Sequence, residues 1–391
     1  MALSIVDALL PDGSTTSLRA EDGVVVSVGA PPEPGDDLLD AAGRLLLPAM
    51  AEAHAHLDKA FLAETVPNPT GDLMGAILAM EANRGSITLA DTAARAERAA
   101  RLIAANGATA IRTHADVTTE NGLVSVEALL SVRDRLRDLV DIQVVVLSGW
   151  PSTTTEQQAL MRAAVDLGVD GIGGCPHLED DPHRATDLFL EVAGEAGLFI
   201  DLHTDETLDP TRLALPYLAE RVLATGFSHG TTASHCVSLG MQPEIEQRRI
   251  AELVAAAGIG VIALPSSNLY LQGRSAQTAM PRALTAIKAL REAGVNVAAG
   301  ADNLQDPFNL VGRGDCLETA ALMVMAGHQL PDDAYHSVSS AARRVMGLDR
   351  AGVAVGHVAD FVLLDARSTR EAVAFAPAGR LVVRAGHLVQ A

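Results

Sequence analysis

The sequence predicts an α/β chain: a (β/α)8 TIM barrel with a small β-sandwich domain built from both termini. Three observations carry this expectation. Between residues 45 and 345, apolar strand-like runs alternate with amphipathic helical runs eight times. Several helical runs close on a Gly just before the next apolar run. The two ends of the chain, residues 1–47 and 352–391, hold short β-rich runs punctuated by turns, which leaves 48–351 as the catalytic barrel. Continuous apolar strands alternating with helices mean a parallel sheet covered by helices. Eight such units over about 300 residues close as a barrel. A doubly wound open sheet is the weaker alternative, because no Gly-x-Gly-x-x-Gly opens a helix after the first strand.

In chain order, the expected barrel strands are Leu45–Met50, Ala108–Thr113, Ile142–Leu147, Gly171–Cys175, Leu198–Leu202, Thr231–Ser234, Ile259–Leu264 and Val295–Ala299. Helical patterns lie between them at Ser125–Val140, Glu156–Leu167, Ala185–Ala196, Pro243–Ala257 and Arg282–Ala293. Gly107, Gly168, Gly197, Gly258 and Gly294 stand where a left-handed cap ends a helix. Thr153-x-x-Glu156 reads as a capping box, and Pro243 suits a first helical position. The terminal domain is expected from Ala2–Ala8, Gly23–Val28 and Gly43–Leu46, with Asp360–Leu364, Ala372–Phe375 and Leu381–Val383 returning from the far end.

Composition narrows the function. The 391 residues are 48% hydrophobic but only 3% aromatic, so aliphatic side chains and Ala must fill the core. The formal charge of −20 disfavours nucleic acid and anionic membrane as partners. The three Cys are widely spaced, with no Cys-x-x-Cys, and are expected to be small core residues in a reduced, cytoplasmic setting. No basic-then-apolar leader opens the sequence, and no uninterrupted apolar run reaches membrane-spanning length. Ala-rich outer helices such as Leu89–Ala105 suit homo-oligomer packing or packing on the barrel.

Chemistry is expected at the C-terminal ends of barrel strands. His54 and His56, at i and i+2 on an extended segment, project to one side. His203 and Asp302 end two later strands. Three imidazoles and a carboxylate suit a single divalent cation, zinc or iron(II). Only two Lys are present, Lys59 and Lys288, so the fourth strand carries no Lys to bridge a second cation. Glu206 lies just beyond its strand end, in reach of the reacting centre for general acid/base work. His235 is placed to stabilise the intermediate. Asp302 is able both to bind the cation and to accept a proton. Lys59, His114 and His177 lie near strand ends, where they could meet substrate.

These motifs together resemble the amidohydrolase superfamily, in its cytosine-deaminase-like branch. The resemblance rests on His54-Ala-His56-Leu-Asp-Lys59, His203-Thr-Asp-Glu206, Thr232-Ala-Ser-His235, Leu271-Gln-Gly-Arg274, Gly300-Ala-Asp302-Asn-x-x-Asp306-Pro-Phe308 and Gly356-His-Val-Ala-Asp-Phe-Val-Leu-Leu-Asp365. It implies a mononuclear hydrolase of a non-peptide C–N bond in a small heterocyclic substrate. His54, His56, His203 and Asp302 would be ligands, Glu206 the proton shuttle and His235 an aid at the reacting carbon. Two departures turn the expectation away from cytosine itself. Gly149 fills the slot where cytosine deaminases place a base-reading Gln, and Asn303 replaces their second Asp. Trp150 and Phe308 are candidates to stack on a bulkier planar ring. The leading expectation is deamination of an amino-substituted heterocycle. The alternatives are cleavage of a cyclic amide, carbamate or N-alkylamino bond, and an inactive metal-binding protein.

Overall fold

The computed structural model describes residues 2–389. In chain order the strands are β1 (Leu3–Leu9), β2 (Thr15–Glu21), β3 (Val24–Val28), β4 (Asp37–Asp40), β5 (Leu45–Pro48), β6 (Met50–Ala55), β7 (Ala108–Val117), β8 (Asp141–Ser148), β9 (Gly171–Gly173), β10 (Phe199–Thr204), β11 (Thr231–His235), β12 (Gly260–Ala263), β13 (Val297–Ala299), β14 (Phe361–Leu364), β15 (Leu381–Arg384) and β16 (His387–Leu388). β6 to β13 form one parallel sheet in sequence order. An isolated parallel bridge between Ala55 and Asp302 closes it, with Asp302 N–H donating to His54 O at 2.9 Å and His56 N–H donating to Asp302 O at 3.1 Å. This is the (β/α)8 barrel. β1 to β5 and β14 to β16 form the second, terminal sheet.

The first barrel strand differs from its expected range. Leu45–Pro48 is β5, paired antiparallel with β14 in the terminal sheet, and the barrel strand starts only at Met50. The apolar run continues across both sheets, so hydrophobicity alone does not mark the passage between them. His54 therefore lies inside a strand and His56 just past its end.

Other boundaries shift for local reasons. Thr369–Phe375 is a helix capped by Ser368, so the expected β run Ala372–Phe375 is corrected. Thr154, not Thr153, caps the helix Thr155–Asp166 after the third barrel strand by accepting from Gln157 N–H. Pro243 is itself the N-cap of Glu244–Ala256, one position earlier than expected. Only Ile287–Glu292 of the expected Arg282–Ala293 is helical. All five helix-ending glycines have positive φ, between 66° and 101°, as caps require.

Small residues fill the barrel. Ala51, Ala53, Ala110, Ile262, Leu264 and Ala298 pack as one buried cluster, capped by Ala341, Ala342 and Met346 from the segment that follows β13. No helix among the described residues is long and apolar enough to cross a membrane.

Candidate active site

The register of neighbouring strands brings the polar strand ends together. His203 pairs with Ser234 and Thr204 with His235 across β10 and β11, while the closing bridge sets Asp302 beside His54 and His56. At three of these ends the chain turns left-handed at a non-Gly residue: Asp205 (φ 55°), His235 (φ 68°) and Asp302 (φ 66°). Such backbone strain clusters where side chains must be aimed.

His54, His56, His203 and Asp302 are all buried, and their donor atoms lie within 4.8 Å of one another. His203 Nε2 is 3.2 Å from His54 Nε2 and 3.1 Å from His56 Nε2. Asp302 Oδ1 is 3.1 Å from His56 Nε2 and 3.5 Å from His54 Nε2. A tetrahedral cation with ligand bonds of about 2.0–2.1 Å separates its ligands by roughly 3.3 Å, so the donor set fits one ion. Asp302 Oδ1 is buried without a hydrogen-bond donor, as a ligand oxygen should be. Burial, then neighbouring imidazoles, pushes His54 and His203 well below the usual histidine range. They are therefore neutral, the form that binds metal. Burial also acts to raise Asp302, but His56 and His235 outweigh it and hold the carboxyl below its ordinary value.

Three of the four donors, His54, His56 and Asp302, are held from behind. His54 Nδ1 lies 3.0 Å from Ser234 Oγ, which donates to Asp201 Oδ1 at 2.8 Å. Asp201 Oδ2 in turn accepts from Arg112 at 2.8 Å. Lys59 Nζ lies 3.2 Å from His56 Nδ1. Ser267 donates to Asp302 Oδ2. Glu52 Oε1 accepts the backbone N–H groups of His54 and Ala301, tying β6 to the turn before Asp302. Burial raises Glu52 to about 8.

Glu206 and His235 stand beside this cluster. Burial first, and then the charge of Asp302, lifts Glu206 well above the carboxylate range. Burial drives His235 down to about 4, against the pull of Asp302. His235 Nδ1 is 3.5 Å from Glu206 Oε1, and Asn268 Nδ2 lies 3.2 Å from His235 Nδ1 and 3.5 Å from Glu206 Oε1. Gln272 donates to the Glu206 carbonyl at 3.0 Å. A protonated carboxyl and a neutral imidazole side by side form a proton-transfer pair.

The cavity above the cluster is lined by His56, His203, Glu206, His235 and Asp302, and also by Lys59, Gly149, Trp150, Asn303 and Phe308. Leu73, Ile77 and Met80, on one face of the helix Leu73–Asn83, roof it. His114 and His177 do not line it. His114 is fully buried beneath the cluster, its ring 4.1 Å from that of His54. His177 Nδ1 donates to the His203 carbonyl at 3.0 Å, and the residue faces a neighbouring groove. Cys175 reaches the cavity, whereas Cys236 and Cys316 are buried.

Sequence reasoning passed over Asp116, Arg84, Ser267 and Asn268. Asp116 was within reach of the alternation rule, since it lies two residues past His114 on β7. Ser267 and Asn268 follow β12 directly, at another strand end. Arg84 sits on a turn that carries no periodic signal.

Similarity to known proteins agrees with this geometry. The Amidohydrolase family matches over residues 67–390. A pterin deaminase from Rhizobium rhizogenes is 34% identical over 357 residues, covering 90% of this chain and 82% of that protein. A 5-methylcytosine deaminase from Klebsiella pneumoniae, solved with 5-fluorocytosine, superposes with a TM-score of 0.91 at 29% identity, covering 99% of this chain and 97% of that one. An N-isopropylammelide isopropylaminohydrolase from Burkholderia multivorans gives a TM-score of 0.86 at 31% identity, with 100% and 98% covered. The chain belongs to the amidohydrolase family, as a metal-dependent hydrolase of carbon–nitrogen bonds.

Proposed function

We propose that this chain hydrolytically deaminates an amino-substituted, two-ring heterocycle of the pterin kind. The observation that carries the reading is the cavity over the four-donor cluster, in which Glu206 and His235 meet a wall left open at Gly149. A Cβ at Gly149 would stand 3.0 Å from Thr118 Cγ2, so the glycine lets the chain pack closely on Thr118 at this wall and puts no side chain of its own there. Trp150 and Phe308 border the same space with flat faces that suit a fused ring. The likeness to a pterin deaminase over most of both chains supports the same substrate class.

In this reading His54, His56, His203 and Asp302 hold one divalent ion, with zinc favoured over iron(II) by the imidazole-rich, four-donor set. The bound ion supplies Lewis-acid activation of water. Glu206, protonated by its environment, would deliver its proton to the ring nitrogen next to the attacked carbon. It would then take up the two protons of the attacking water in turn, passing one to the departing amine, which leaves as ammonia, and keeping the other. His235 hydrogen-bonds the developing charge at that carbon, and Asn268 keeps His235 and Glu206 in register. The closed, partly apolar roof of Leu73, Ile77 and Met80 limits bulk water around the reacting ring. The partner is a small molecule, and the acidic surface agrees with a non-nucleic-acid role in a cytoplasmic setting.

The test is ammonia release from pterin, cytosine and aminotriazines by metal-defined protein. Turnover of pterin above cytosine supports the reading, and release of an alkylamine from an N-alkylated triazine instead supports N-dealkylation. The likeness to an N-isopropylammelide hydrolase keeps that second reading in view. Glu206→Gln is expected to lower kcat by about 10³-fold while bound metal per chain stays constant. Near-normal turnover by that variant would remove Glu206 from its role.

A further inference from the structure

The cavity holds a largely buried charge pair, Lys59 with Asp116, in which Lys59 also backs the His56 ring while Asp116 serves neither the cation site nor the proton transfer. Asp116 Oδ1 accepts from Lys59 Nζ at 2.7 Å. Asp116 N–H donates to Asp58 Oδ2 at 3.0 Å, and the Asp116 carbonyl accepts from Asn121 at 3.2 Å. The residue is thus fixed at both its backbone and its side chain. Among the described residues no protein donor reaches its second oxygen, Oδ2, although Asp116 lines the cavity. A carboxylate oxygen that faces a ligand cavity and takes no protein donor is free to accept an N–H from the ligand. Arg84 lines the same wall. Its Nη1 donates to Thr118 Oγ1 at 3.0 Å and Glu120 Oε2 at 2.9 Å, and its Nε and Nη2 reach no protein acceptor among the described residues.

Strand order fixes which edge of a substrate these groups meet. β6 and β7 lie four strands away from β10 and β11 in an eight-strand barrel, so Asp116 and Lys59 face Glu206 and His235 across its mouth. A flat ring with its reacting carbon against Glu206 and His235 turns its opposite edge to Asp116 and Arg84.

We propose that Asp116 and Arg84 are specificity-determining residues that read a lactam edge. The Asp116 carboxylate accepts the ring N–H, and the Arg84 guanidinium donates to the neighbouring carbonyl. Lys59 holds the carboxylate charged and aimed. The substrate class is then an amino-substituted heterocycle with N–H beside C=O on the edge away from the exchanged amine. This rests on the deaminase reading above and names its substrate more narrowly. It also explains how a chain with Gly149 and Asn303 regains base-reading groups: Asp116 from the second strand and Arg84 from the turn after the roof helix, instead of the third and eighth strands.

Trp150, the chain's single Trp, lines the cavity, so quenching of its emission reports binding without turnover. The probes are pterin and its 7-oxo derivative, isoxanthopterin, whose second ring adds N–H beside C=O. Metal-loaded wild-type protein is expected to bind the 7-oxo ring at least about tenfold tighter, the scale of one charge-assisted hydrogen bond. Asp116→Asn should erase most of that preference with metal content unchanged. Arg84→Met, a second variant at an independent position, should reduce it in the same direction. Equal affinities in the wild type, or a preference that survives Asp116→Asn, would overturn the proposal. Loss of metal in Asp116→Asn would also overturn it, because Asp116 would then act on His56 through Lys59. Ammonia release from both probes is followed in parallel. Its absence rejects the deaminase reading, while the quenching preference separately decides the role of Asp116.

Discussion

His54 ends a relay of buried polar groups, from Arg112 through Asp201 and Ser234 to its Nδ1, and that relay fixes which nitrogen faces the cation. Removing the hydroxyl should loosen the ligand without emptying the fold. Ser234→Ala is expected to weaken metal affinity by about 10–100-fold, the usual effect of losing a hydrogen bond behind a metal-bound histidine. Competition against a chelator reads this directly, and unchanged affinity would make the relay merely structural. A second residue-scale effect is pH-dependent. Asp306 is fully buried and folds the loop after β13 by accepting from Asn303 Nδ2 at 2.7 Å and Phe308 N–H at 2.8 Å. Burial raises its carboxyl from 3.8 to about 6, against the pull of those hydrogen bonds. The folded chain therefore holds this proton more tightly than the unfolded chain. Its contribution to stability is present in full below about pH 4 and is lost as pH rises through about 6. Asp306→Asn should flatten that part of the profile, narrowing the difference in unfolding free energy between pH 4 and pH 7 by on the order of 2 kcal/mol. Denaturant titrations at the two pH values check it, and identical profiles for both proteins would refute it.

The helix Leu73–Asn83 shows how one element can matter to the site and still be hard to read. Its inner face carries Leu73, Ile77 and Met80 over the cavity, yet its outer face carries Met74 and Leu78, which are 52% and 57% exposed. With apolar residues on all sides, no period marks an inner face. The barrel strands are different: continuous aliphatic runs such as Val144–Val146 are buried on both faces and stand out in any reading. The same contrast runs through the site. His54, His203, His235 and Asp302 sit at strand ends, where the architecture itself says to look. Arg84 and Asn268 sit beyond those ends, on a turn and a short helix, where only tertiary contact reveals them. The roof is anchored by Asn68, whose Nδ2 donates to Asp72 O and Pro307 O, each at 3.0 Å. Gly75 leaves room for that anchor. A Cβ there would fall 1.9 Å from Thr70 Oγ1 and 2.6 Å from Asn68 Oδ1. Gly to Ala inside a helix ordinarily stabilises by up to about 1 kcal/mol. Gly75→Ala should not. It should displace Asn68, raise KM several-fold and leave kcat less affected. A variant with higher thermal stability and unchanged KM would show that the roof tolerates the shift.

At the scale of the whole molecule, the end of the barrel away from the site is locked to the terminal sheet. The helix Ser340–Val345 plugs the barrel interior with Ala341 and Ala342. From it Arg343 reaches Asp360 Oδ2 at 3.0 Å, Thr109 Oγ1 at 3.2 Å and the Asp349 carbonyl at 2.9 Å. The ion pair is buried, with Arg343 and Asp360 4% and 2% exposed. Asp360 also accepts from Ala385 N–H at 2.7 Å, and its carbonyl accepts from Ala49 N–H at the entry to β6. One guanidinium thus joins the plug, the second barrel strand and the sheet made from both chain ends. A buried pair stripped of one member leaves an uncompensated charge, which costs about 3–5 kcal/mol. Arg343→Met is expected to lose stability on that scale. Because the pair belongs to both sheets, the loss should shift the whole transition, with far-UV circular dichroism and Trp150 emission moving together. The candidate active site lies at the other end of the strands, so kcat at low temperature should stay close to that of the wild type. Two separated transitions in the variant, one near the original midpoint, would show that the terminal sheet and the barrel are stabilised independently and that Arg343 serves only one of them.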